Sequence, residues 1–217
     1  FDYARARHLL VRAGFGGTPE EIEKLAAMTP AEAVNYLVDY ESIDASFLPA
    51  YEPSNTYPTG HRHTENFAGG GRRSRETGTR RGAKAPREGK LAFQPAVTEW
   101  FTLWLTEMHE MDRGGQWWAE RMVMTPRPLE EKLTLFWHNH FATSQEKIRR
   151  YEHMLDQNQT LRKHAAGNFR DMLVAVAQDP AMLDWLDNRA NVKGKPNENF
   201  AREVMELFTM GEGLGYT

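Results

Sequence analysis

The sequence predicts an all-α fold: a multi-helix, orthogonal or bundle-like domain carrying a long irregular Arg/Gly-rich insertion. Three observations predict it. Two Thr-Pro-x-Glu helix starts stand near the N-terminus, apolar residues recur at three- and four-residue spacing from Pro95 onward, and no alternating strand pattern competes. The 217 residues suffice for one large domain, and 40% hydrophobic content with 11 Phe and 6 Trp supplies material for its core. A mean hydropathy of -0.68 implies long polar faces as well. No run approaches the roughly 18 consecutive apolar residues that a membrane span requires.

The elements follow in order. Tyr3 to Ala13 can form a helix that Gly14 ends, and Gly14-Phe15-Gly16-Gly17 then reads as a turn. Thr18-Pro19-Glu20-Glu21 and Thr29-Pro30-Ala31-Glu32 each place a Thr N-cap, a first-turn proline and a Glu at N3, which is the capping box. Residues 1–40 are therefore a segment of short helices. Across residues 41–94 no apolar period survives and Gly69-Gly70-Gly71 is contiguous, so an irregular loop or insertion is expected.

Residues 95–217 form the main helical core. Val97, Trp100, Phe101, Trp104, Leu105 and Met108 make one apolar stripe, and Gly114-Gly115 is expected to end that helix before another over Trp117 to Met124. Thr125-Pro126-Arg127-Pro128 makes a rigid start for Leu129 to Ala142. A long amphipathic helix is expected from about Gln145 to Ala166, then one capped by Asn168, then a short one opened by Asp179-Pro180. The last helix begins with Asn197 as cap and stops at Gly211 after Met210.

Charge is unevenly placed. Net charge is -3, yet His61 to Lys90 holds nine Lys/Arg against three Glu. A solvated surface segment accounts for this run. Polyanion binding through Arg72, Arg73, Arg75, Arg80, Arg81 and Arg87 is the alternative, since arginine interleaved with glycine can follow a phosphate or sulfate backbone. Its aromatics are too few for a base-stacking platform, so nucleic acid is not an expected partner. With no cysteine, disulfides, thiolate zinc sites and cysteine nucleophiles are excluded. No phosphate-binding glycine loop, nucleophile elbow, kinase signature, dinucleotide fingerprint or haem motif occurs.

Phe136-Trp137-His138-Asn139-His140-Phe141 is the conspicuous constellation. Histidines at i and i+2 stand about 200° apart on a helix and do not chelate one metal together. Helical phase puts Leu129, Leu133, Phe136 and His140 on one face, expected to be buried, and His138 opposite with Glu131 and Thr134. His140 then needs hydrogen-bond partners, drawn from the last helix or from Asn158. On that last helix Asn199, Arg202, Glu203 and Glu206 form one polar stripe. A solvated face with an Arg202–Glu206 pair explains it. The alternative turns the stripe inward, where His140, Glu203 and Glu206 would make a divalent-metal or acid–base site. His138, Asn139, His140, Asn158, Asn199, Arg202, Glu203 and Glu206 are thus the candidate polar network.

Several segments together resemble a bacterial family, domain of unknown function 1800. They are Ala6 to Gly16, Lys132 to Ser144, Gly167-Asn168-Phe169-Arg170, Asp179 to Leu183, and Asn197 to Glu203 running into Glu206-Leu207-Phe208-Thr209. The resemblance implies a longer protein whose helical part continues past Thr217, so the last helix should show apolar surface to the remainder of the protein or to another chain. It also implies export to the periplasm, cell surface or medium, and a sulfatase-like partner. It assigns no activity. The function expected is that of a helical domain in an envelope or extracellular assembly. A metal-dependent hydrolase or oxidoreductase and a polyanion-binding module are the alternatives.

Overall fold

The computed structural model describes residues 1–54 and 94–215, and for residues 94–100 and Arg189 it describes the backbone alone. Ten α-helices form among the described residues: α1 (Tyr3–Ala13), α2 (Pro19–Ala26), α3 (Pro30–Val38), α4 (Gln94–Met124), α5 (Pro128–Phe141), α6 (Gln145–Ile148), α7 (Tyr151–His164), α8 (Phe169–Ala177), α9 (Pro180–Trp185) and α10 (Asn199–Glu203). The only β pairing among them is one isolated bridge, Val192 with Lys195. The fold is all-α, and none of these helices is long and apolar enough to cross a membrane.

The chain divides into two compact units, Phe1–Tyr51 with Gly114–Thr217, and Glu52–Arg113. In the larger unit, α1 to α3 start as their sequences require. Thr18 and Glu21 satisfy each other's main-chain N–H, and Thr29 and Glu32 repeat the exchange. Each such cap contributes about 1 kcal/mol. Ala6, Leu10, Ile22, Leu25, Ala33 and Leu37 close one apolar cluster. Gly14 ends α1 because the start of α5 lies on it: an added Cβ would stand 2.7 Å from the Pro128 Cβ.

A second cluster in the same unit joins Phe141, Leu161, Met172, Val176, Met182, Leu186 and Phe208, with Trp137, Leu173, Trp185, Phe200 and Val204 against it. Asn168 caps α8 and Asp179 caps α9. Asn197 accepts from the Asn199 N–H at the start of α10. The last helix then widens: Val204–Thr209 is a π-helical turn in which Met210 N–H reaches the Met205 carbonyl at 2.9 Å.

In the smaller unit, Glu110 is wholly buried and accepts from the Ser54 N–H at 3.1 Å, while Arg113 donates to the Glu52 carbonyl at 2.8 Å. Thr106, Glu107 and Met111 are also buried, whereas Phe101, Leu105 and Met108 remain about half exposed. The apolar stripe that marks α4 as a helix is therefore not its covered face here.

Two boundaries differ from those expected. Gly114-Gly115 does not end a helix, because α4 runs unbroken from Gln94 to Met124. Glycine in a helix interior costs roughly 1 kcal/mol but creates no clash, so a pair of them weakens a helix without stopping it. The helix expected over 145–166 is broken instead into α6 and α7. Arg149 takes φ 50° between them, and the turn lets Ile148 and Tyr151 both enter the interior.

Candidate functional site

The site is built on α5, whose buried face is the polar one. Glu130, Glu131 and Thr134 are covered while Phe136 is more than half exposed, the reverse of the expected orientation. Apolar periodicity fails here because the acidic residues are neutralised from other helices. Both Glu131 oxygens are occupied. One accepts from Trp118 Nε1 and Arg162 Nη2, each at 3.0 Å, and the other from Arg162 Nε at 2.9 Å and from Arg121 Nε. Burial pushes the Glu131 carboxyl up, but the hydrogen bonds and charges of Arg162 and Arg121 outweigh it and hold its pKa below the usual carboxylate value.

The network extends from there. Arg162 Nη2 also donates to Asn158 Oδ1 at 2.7 Å, and its guanidinium lies 5.7 Å from the Trp117 ring centre. Glu130, with Arg121 and Arg127 each at 3.7 Å, has its pKa raised, burial outweighing Arg127. Asn158 sits in an interior polar network. Its partners are Arg162 and, through it, Glu131, not the last helix. The Asn158 Nδ2 is buried and finds no hydrogen-bond partner among the described residues.

His140 is half-buried rather than buried, and its Nε2 stands 3.1 Å from the Phe208 carbonyl of the last helix. That geometry makes Nε2–H the donor. Phe136, Trp137, Phe141, Phe169 and Phe208 surround the ring at centroid distances of 5.1 to 6.3 Å. His138, expected on the open side, is also half-buried. It meets Trp118 edge to face at 5.4 Å, and burial lowers its pKa. Asn139 is exposed.

Glu203 and Glu206 turn to Arg202, not to His140. Arg202 Nη1 donates to Glu206 at 2.7 Å, Nη2 to Glu203 at 2.5 Å and to Asn199 at 2.9 Å, and Glu198 lies 3.6 Å away. Asn199 in turn donates to the Leu186 carbonyl. The expected Arg202–Glu206 pair is present. Among the described residues, no three His, Asp or Glu side chains come together as a metal-ligand set. Arg72, Arg73, Arg75, Arg80, Arg81 and Arg87 lie outside the described residues.

A second buried network was not foreseen. The Thr143 hydroxyl donates to Gln157 Oε1, Gln157 Nε2 donates to Asp179 Oδ1 at 3.0 Å, and the Met182 N–H reaches that same oxygen at 3.0 Å. Burial pushes the Asp179 carboxyl up to about 6, the donors notwithstanding. In the sequence Asp179 signals only a helix cap. Glu131 and Arg162 carry no local signal at all, since their pairing spans 31 positions.

The site therefore consists of a neutralised ionic core behind α5 and an aromatic surround about His140 that reaches solvent at Phe136 and Phe169. No curated protein and no solved structure matches the chain. Residues 8–217 match the family described as protein of unknown function DUF1800, taking in the segments that pointed to it except Ala6 and Arg7, and the chain belongs to that family.

Proposed function

We propose that this chain is the helical part of an exported bacterial protein, and that it works by contact with another protein surface in an envelope or extracellular assembly. One observation carries the reading. Around the packed Phe208 the last helix and its exit leave Leu207 60%, Met210 43% and Leu214 66% exposed, with Phe136 of α5 55% exposed beside His140. Large apolar side chains left exposed together on one short segment favour a contact surface over scattered single exposures. Export rests on the family resemblance.

The test is a photocrosslinking amino acid at Leu207 in the producing cells, with the exposed Gln178 as control position. A discrete adduct from Leu207 alone, recovered from the envelope or medium fraction, is the expected result. Equal labelling at both positions, or protein confined to the cytosolic fraction, would sink the reading.

A further inference from the structure

We propose that residues 142–149, with α6 at their centre, form a latched strap that opens as one unit and is coupled through a single turn to the start of the last helix. Among the described residues, three non-glycine positions take a positive φ: Ala142 at 49°, Arg149 at 50° and Asp187 at 56°. The first two bracket α6, and the third holds its lysine. A Cβ disfavours left-handed backbone, least for Asp, and strain of this kind collects in segments that switch. Opening the strap releases it at Ala142 and Arg149, which serve as the hinges.

What holds the strap shut is limited. On its inner side Thr143 donates to Gln157, and Ile148 is buried. On its outer side Lys147 is the latch. Its Nζ donates to the Trp185 carbonyl and to Asp187 Oδ2 at 3.1 Å, and lies 5.5 Å from the Trp185 ring centre. Lys147 and Asp187 are both exposed, so the ion pair itself is weak. The same turn carries the last helix. At the C-terminal end of α9 the Trp185, Leu186 and Asp187 carbonyls are left over, and three side chains take them. They are Lys147, Asn199 Nδ2 at 3.3 Å and Asn197 Nδ2 at 3.1 Å, in that order. The strap and the start of α10 thus share three consecutive backbone acceptors, and releasing one end loosens the turn that fixes the other.

Native-state hydrogen exchange of the intact chain in low urea is the test. The Ile148 and Arg149 amides bond to the Ser144 and Gln145 carbonyls, and the Arg202 amide to the Glu198 carbonyl. All three are expected to exchange through openings that low urea leaves unchanged, whereas Leu161 in α7 follows global unfolding. Lys147→Met should raise exchange about fivefold at Ile148 and Arg149 and about threefold at Arg202. Ala142→Gly relieves the hinge in the closed form only, so exchange at Ile148 should fall about threefold. Exchange at Ile148 that tracks Leu161 in urea would overturn the strap, because α6 would then open only with the whole domain. An Ile148 rate unmoved by Ala142→Gly would overturn the hinge. A Lys147→Met effect at Ile148 and Arg149 with Arg202 unchanged would overturn the coupling to the last helix.

Discussion

Glu131 and Arg162 stand 31 positions apart and meet as a two-pronged ion pair, Nε at 2.9 Å from one carboxylate oxygen and Nη2 at 3.0 Å from the other. The carboxylate is wholly buried, and Arg121 and Trp118 complete its hydrogen bonding. The pair thus fastens α5 to α7, with α4 as the third wall. Glu131→Ala would leave two nearly buried guanidinium groups facing each other. A loss of about 3–5 kcal/mol is expected in urea unfolding. Replacing Glu131 and Arg162 together by Leu and Met should cost less than Glu131→Ala alone, because only Arg121 then loses its partner, and Glu130 stays 3.7 Å from it. A double variant as damaged as the single one would show that packing, not charge balance, dominates there.

His140→Ala should lose about 1–3 kcal/mol, through the hydrogen bond to the Phe208 carbonyl and the aromatic contacts about the ring. His138→Phe should cost under about 1 kcal/mol, since the half-buried imidazole is used as an apolar edge against Trp118. Denaturant midpoints of the two variants decide it, and equal small effects would count against an anchoring role for His140.

Asp179 makes stability depend on pH in a stated direction. Its folded-state pKa of about 6 lies above the ordinary aspartate value of 3.8, so the folded protein holds the proton more tightly than the unfolded chain. The contribution is therefore fully present below the unfolded value and lost as pH rises through about 6. Asp179→Asn keeps an acceptor for the α9 cap and removes the titration. The stability difference between wild type and this variant should shift by an amount on the order of 2–3 kcal/mol between about pH 4 and pH 7, in the wild type's favour at the acid end. A pH-independent difference would mean that its donors compensate for burial.

Ala142 ends α5 with φ 49°, a left-handed conformation that a Cβ disfavours by roughly 1–2 kcal/mol. Ala142→Gly should stabilise the domain by about 0.5–1 kcal/mol once the greater freedom of the unfolded glycine is subtracted. Ala142→Val should do the opposite. Thermal unfolding of both variants provides the measure, and a destabilising glycine would show that the methyl makes a packing contribution larger than the strain.

What was legible in the sequence divides along physical lines. Helix starts are local events, and Thr18, Thr29, Asn168 and Asp179 cap as expected because side chain and N–H lie within three residues. The orientation of α5 is not local. Its apolar period was read correctly as helical, but which face is covered depends on Arg121 and Arg162, supplied by other helices. The same limitation governs α4, where Glu110 is buried and Leu105 is half exposed. In the candidate network, phase puts His140 on an apolar face, yet it is only half-buried, and Asn158 is buried against Arg162 rather than against the last helix. The diversion of Glu203 and Glu206 to Arg202 was visible only as one of two alternatives, because a polar stripe does not reveal which way it faces.

The π-helical turn at Val204–Thr209 has a consequence for chains of different length. A π turn accommodates one residue more than an α turn over the same rise, so it behaves as an insertion absorbed without a loop. Removing a single residue there, ahead of Phe208, would restore α-helical spacing and leave everything after it in its present direction. Phe208 would keep the core it now fills, and its carbonyl would stay within reach of His140. One codon can thus be lost at this turn while the helix keeps both its axis and the seat of Phe208, whereas a deletion in a regular α turn would rotate the remainder by about 100°.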